Sequence, residues 1–269
     1  MGLSGDTLTG IALCWRIERR DGVTIGLTDH DRDLTLDGLI HRAAPGMVPS
    51  AIKRSDGLDA DTMDIEGALT SDAIGATDLI AGRWDGARVA LRAVDWSGAA
   101  GPVALGEGVI GAVEMRDTGF TAELRGASAA LEAPVVEETS PDCRAELGDK
   151  RCRVALAGRR RLARVIAADA RTLTVDVPEP GANAYGFGLL RWIGGANGGL
   201  TSAIAASGGA TVTLRVAPPL AVRGGELIEL IEGCDKTIAT CATRFANAAN
   251  FRGEPFLPGI DLLTRYPGG

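Results

Sequence analysis

The sequence predicts a mainly β protein: two β-barrel or sandwich-like domains with a few short helices and an extended C-terminal tail. Glycine is abundant at 37 of 269 residues, and aromatic residues make up only 4%. That balance suits short strands joined by tight turns better than a helix bundle. Apolar residues come in short runs, and Gly and Pro punctuate those runs along the chain.

The elements follow in order. Ile11 to Ile17 reads as a strand, Asp21-Gly22 as a hairpin turn, and Val23 to Leu27 as the returning strand. Further strands are expected at Thr62 to Leu69, Ala87 to Val94, Gly108 to Arg116 and Phe120 to Leu124. Ser71 to Ala81 reads as a short helix with Ser71 as its N-cap. Alternation stops between Gly126 and Asp149, where Ala127 to Glu132 forms a helical turn closed by Pro134.

Strands resume at Leu162 to Ala167, Thr172 to Val177, Gly188 to Ile193, Thr211 to Val216 and Glu226 to Ile231. A helix then opens at Asp235, placing Ile238, Cys241, Ala242 and Phe245 on one face. Gly253, Pro255, Pro258 and Gly259 keep the tail extended. The expected division is an N-terminal β domain (1–126), a second β domain (127–232), and a C-terminal helix and tail (233–269).

Charge and hydropathy narrow the function classes. The net charge is −7 with a pI near 5.0, a poor match to nucleic-acid phosphates, which require clustered Lys and Arg. The one sharp basic run, Arg159-Arg160-Arg161, reads as a solvated strand edge that discourages unwanted pairing. No run of about eighteen apolar residues is present to span a membrane, and Met1 to Asp6 lacks the pattern of a signal peptide. Synthesis in a bacterial cytoplasm is expected, where thiols stay reduced.

Four of the five cysteines form two local pairs, Cys143/Cys152 and Cys234/Cys241, with eight and six residues between partners. Cys14 stands alone within a strand and reads as a small buried side chain. The paired spacings are too long for a zinc ribbon. An iron–sulfur cluster also takes four thiolates and accepts ligands from separate loops. Spacing alone leaves cluster, zinc and unligated thiols open. Cys234 is expected just ahead of a helix, and Lys150, Arg151, Arg153 and Lys236 stand near enough in sequence to offset thiolate charge.

The segment Cys143-Arg144-Ala145-Glu146-Leu147-Gly148-Asp149-Lys150-Arg151-Cys152, with Gly233-Cys234-Asp235-Lys236-Thr237 to Cys241, resembles the hub protein of gene transfer agents and related siphophage tails. Arg244 to Pro255 and Thr28 to Asp33 extend the resemblance over nearly the whole chain. It implies a structural role in a tail baseplate. The hub would be a homotrimeric ring between the distal tail protein and a larger baseplate protein, beside a peptidase, with DNA passing through the lumen. It also implies a [4Fe–4S] cluster on Cys143, Cys152, Cys234 and Cys241, with zinc as the alternative.

Enzyme readings are weaker. Asp29, His30, Asp31 and Asp33 read as a charged strand end or turn rather than a metal or acid–base cluster. Only His30 and His41 can serve as a catalytic base, and neither adjoins a nucleophile motif. Gly194 to Gly199 lacks the Lys-Ser/Thr of a phosphate loop and reads as a hairpin turn. Two alternatives stand beside the hub: a metal-dependent cell-wall hydrolase, and a receptor- or sugar-binding tail module that would need an exposed Trp84 or Trp96.

Overall fold

A computed structural model describes residues 10–44, 48–49, 62–68, 74–97, 101–116, 119–126 and 136–256. Ser71, the helical turn before Pro134 and the tail beyond residue 256 lie outside the described residues. The chain divides into two compact units, Met1–Val135 and Val136–Gly269.

Among the described residues, the first unit forms a nine-stranded sheet in the order β3-β4-β2-β1-β7-β8-β9-β6-β5. Its strands are β1 (Ile11–Glu18), β2 (Thr24–Thr28), β3 (Leu34–Leu36), β4 (Leu39–Ala43), β5 (Val48–Pro49), β6 (Thr62–Ala68), β7 (Arg88–Asp95), β8 (Val103–Arg116) and β9 (Gly119–Arg125). The Asp21-Gly22 hairpin forms as expected: Gly22 has φ +91°, which an L-residue rarely adopts, and Ile17 pairs with Ile25. Alternation along β1 and β7 sends Trp15, Ile17, Val89 and Leu91 into one core with Leu27, Trp84 and Phe120.

One helix, α1 (Ala76–Ile80), packs Leu79 onto that core. It is shorter than the sequence suggests: Gly75 sits at its N-cap with no side-chain bond, so the helix opens at Ala76.

The second unit holds a closed barrel in the order β10-β11-β14-β13-β12-β15. Its strands are β10 (Arg160–Asp169), β11 (Thr172–Val175), β12 (Leu189–Trp192), β13 (Thr201–Gly208), β14 (Thr211–Leu214) and β15 (Leu227–Ile231). Inward residues Leu190, Trp192, Ile204, Leu214, Ile228 and Leu230 are buried and fill the interior. Each such aliphatic side chain contributes about 1.5–3 kcal/mol relative to exposure. The arginine run pairs with β15 on one side at Arg160 and Arg161, while the β11 pairing of β10 begins only at Val165.

Closure also sets the geometry of the site. Strand β10 pairs antiparallel with β15 in the register Arg160 to Ile231, and the Glu232 N–H donates to the Arg159 carbonyl at 3.0 Å. The chain entering the barrel and the chain leaving it are therefore neighbours. One cysteine pair precedes the first point and the other follows the second.

Candidate metal centre

After β15 the chain turns at Gly233. A Cβ on this residue would lie 2.0 Å from the Gly186 carbonyl oxygen and 2.1 Å from the Gly188 nitrogen, so only glycine fits. Cys234 follows directly. The helix α2 (Ile238–Thr243) then begins later than the sequence reading has it: Thr237 is the N-cap and accepts from the Thr240 N–H. Asp235 instead accepts from the Thr237 N–H, the Thr237 hydroxyl and the Thr240 hydroxyl. Cys241 is the buried residue of this helix, whereas Ala242 is exposed.

The two cysteine-bearing segments are joined backbone to backbone. The Cys143 N–H donates to the Lys236 carbonyl at 2.9 Å, and the Arg144 N–H donates to the Arg252 carbonyl at 3.0 Å. Lys236 adopts φ +66° and sends its Nζ to the Ala145 carbonyl at 2.6 Å. Cys152 is 8% and Cys241 7% exposed, while Cys143 and Cys234 are half-buried; all five cysteines are free thiols.

The four thiols share one locale. Burial pushes the Cys241 thiol up, and the charges of Cys143, Cys234 and Cys152 push it further. Burial likewise raises Cys234, against a lowering hydrogen bond from the Lys236 N–H. Other N–H groups reach the sulfurs as well: the Arg252 N–H to Cys143 Sγ at 3.3 Å, and the Asn247 amide to Cys152 Sγ at 3.7 Å. Of the basic side chains expected there, Lys236 lowers the Cys234 thiol by its charge, while each of three also has a partner of its own. Arg151 pairs with Glu137, Lys236 with Glu146, and Arg153 reaches the Lys150 carbonyl.

Among the described residues, no group of three or more His, Cys, Asp or Glu side chains is arranged to hold a single metal ion. A tetrahedral zinc site would need its sulfurs about 3.8 Å apart, given Zn–S bonds of roughly 2.3 Å. Four cysteine thiolates are a donor set taken by tetrahedral zinc and by a [4Fe–4S] cluster alike. Cys14 belongs to the other unit and donates to the Thr28 hydroxyl at 3.7 Å, a core role.

Two ionic clasps hold the site's flanks. Glu232, almost fully buried, accepts from Arg159 and Arg244 at 2.8 Å each, and both guanidiniums lie 4.9 Å from the Phe245 ring. Arg244 also donates to the Ala184 carbonyl, tying the end of α2 to the barrel. Arg244→Ala is expected to lower unfolding stability by about 2 kcal/mol, measured by denaturant titration, because it removes hydrogen bonds to a charged group.

On the opposite flank, Arg144 grips Glu254 with two bonds of 2.5 and 2.8 Å; the Ser140 N–H donates to the Glu254 carboxylate, and the Glu254 N–H donates to the Ser140 carbonyl. The Arg144 guanidinium holds the Glu254 carboxyl down to about 2. A carboxyl depressed in the folded state contributes stability above its ordinary value of about 4.3 and loses it as pH falls toward 2. Glu254→Gln should therefore flatten the dependence of melting temperature on pH between about 4.5 and 2, without changing it above pH 6.

The other candidate side chains lie in the first unit and in the barrel core. Asp29 to Asp33 form a loop, where Asp29 accepts from the Leu13 N–H and Asp33 from the Ala43 N–H. His41 is 2% exposed, and burial together with Arg16 and Arg92 lowers its pKa. Trp84 is buried, whereas Trp96 is 49% exposed and stacks beside His30 at 5.3 Å. Trp192 is core, its Nε1 donating to the Ser202 hydroxyl.

The sequence did not disclose an open groove of about 730 Å³ on the sheet, lined by Arg16, Arg88, Arg92 and Arg125, which come from three strands, β1, β7 and β9. Glu18 and Glu107 also line it, and Asp37 and Glu123 pair with Arg92 and Arg125, so its charges balance.

Comparison with known proteins accords with this architecture. Residues 3–155 match the family of the baseplate hub protein, N-terminal attachment domain. Residues 183–261 match the family described as phage conserved hypothetical protein BR0599. No curated protein matches the chain. A chain in the solved structure of the virion of a native gene transfer agent particle is similar over 98% of this chain and 93% of its own, with 34% identity and a TM-score of 0.85. The first match alone spans more than half of the sequence, and the chain belongs to the baseplate hub proteins, structural components of phage-like tails.

Proposed function

We propose that this protein is the tail hub of a phage-like particle and that Cys143, Cys152, Cys234 and Cys241 bind one [4Fe–4S] cluster as a structural clamp. The observation carrying the cofactor reading is the convergence of four free thiols from both ends of the barrel, with N–H groups directed at three of their sulfurs. A cluster bound there supplies ligation free energy that becomes folding free energy. It would fasten a loop of roughly eighty residues between Cys152 and Cys234, a closure costly in chain entropy without a cross-link.

The assembly proposed around this clamp is a homotrimeric ring. It would sit between the distal tail protein and a larger baseplate protein, with a peptidase nearby and DNA passing through the lumen. The family match and the gene transfer agent neighbour support this placement. Native mass spectrometry of anaerobically purified protein tests both halves together. Trimers carrying one cluster per chain are expected; iron-free monomers would contradict the reading.

A further inference from the structure

Within the segment that follows α2, one residue bonds to a cysteine of each pair, through its backbone to Cys241 and through its side chain to Cys152. The Asn247 backbone N–H donates to the Cys241 carbonyl at 2.9 Å. Its side-chain Nδ2 donates to the Cys152 carbonyl at 2.6 Å and to Cys152 Sγ at 3.7 Å. The Oδ1 is occupied by the Asn250 amide at 2.7 Å, which fixes the orientation of the Asn247 amide with its NH₂ toward Cys152. The residue is half-buried, and Ala246 before it adopts φ +47°, directing the chain back from the helix end.

We propose that Asn247 is the positioning residue of the four-cysteine site: it clasps Cys152 to Cys241 and donates an N–H···S bond to the Cys152 sulfur. The proposal rests on the cluster reading for its redox consequence, whereas the clasp is a set of bonds between the chain's own groups.

Three physical consequences follow. First, the clasp lowers the ordering cost of bringing the two pairs together, because the chain's own groups bond the segments to each other. Second, the donor is neutral, so it stabilises a thiolate without introducing a charge that would pair elsewhere. Third, outer partners that hydrogen-bond to a ligand sulfur tune a cluster, favouring its more negative, reduced form. Aspartate in the same place would present an acceptor to both the carbonyl and the sulfur, reversing each contact.

The test compares the full chain with Asn247→Leu, which keeps volume but removes the donor, and Asn247→Asp, which keeps shape but reverses it. In anaerobically purified protein, both variants should show a reduction potential below that of the parent, with Asp lower than Leu. Both should lose iron to a chelator roughly tenfold faster or more, as expected for one lost hydrogen bond to a charged group. In metal-free protein, both should raise the rate at which a thiol-labelling reagent modifies Cys152 and Cys241, with Cys14 unchanged.

A parent protein holding a cluster, with variants of unaltered potential and chelation rate, would overturn the tuning role. Unaltered labelling rates would overturn the clasp. A parent protein without iron would defeat the cluster reading instead, and the labelling comparison would still decide the clasp. Recovery of slow labelling in Asn247→Gln, which retains the amide, would distinguish donation from mere packing.

Discussion

Replacing any one of Cys143, Cys152, Cys234 or Cys241 by serine is expected to abolish stable cluster binding, leaving protein without bound iron or visible absorption. Serine preserves size but supplies a far weaker ligand than a thiolate. The buried pair should have the larger structural effect, since Cys152 and Cys241 are the more enclosed two of these four. Removing a ligand also removes the folding free energy that ligation contributes. The entrance segment and the C-terminal segment should become more accessible to protease, while the barrel retains its strand signal. Cys14→Ser serves as the contrast: its thiol meets Thr28 inside the other unit, so iron binding should be unchanged. Equal iron content in Cys152→Ser and the parent protein would contradict the ligand assignment.

The second large effect is expected from Gly233→Ala. The added Cβ would stand 2.0 Å from the Gly186 carbonyl oxygen and 2.3 Å from the Phe187 carbonyl carbon. These neighbours are backbone atoms, and the Gly233 N–H itself donates to the Ala184 carbonyl, so the strand cannot yield without breaking bonds at the barrel rim. Overpacking of this kind costs about 1–3 kcal/mol and more where backbone must move. The cost falls one residue before Cys234, so thermal stability and iron retention should decline together. A melting temperature within a degree of the parent would show that the turn has more freedom than its packing indicates.

How much of this was legible in the sequence differs between local and non-local features. The Asp21-Gly22 hairpin and strand β1 were readable because turn chemistry and alternation are local. Strand β13, Thr201–Gly208, was missed because its run of Ser, Ala and Gly carries little β-branched or aromatic signal. Strands β3 and β4 were missed beside the acidic loop that precedes them. Barrel closure was not legible at all, since the pairing of β10 with β15 joins residues about seventy positions apart.

That same pairing explains the limits on reading the site. The cysteine spacings alone left three chemistries open, and only a resemblance in the flanking residues selected four ligands. What brings the pairs together is the register of two distant strands. The sulfur-directed donors were equally hidden: charged residues near the cysteines attract attention in a sequence, yet the groups that reach sulfur are backbone N–H groups and one asparagine. Helix α2 shows the local counterpart, where Asp235 suits an N-cap but its carboxylate is engaged by Thr237 and Thr240, leaving the cap to Thr237.

The central claim is that these four cysteines hold an iron–sulfur cluster that fastens the hub. Iron, sulfide and zinc analysis of anaerobically purified protein tests it most directly. Iron and acid-labile sulfide are expected in equal amounts, at the level of one four-iron cluster per chain, with broad visible absorption that bleaches on oxidation. Zinc with no iron, or a fully folded protein with neither metal, would contradict it.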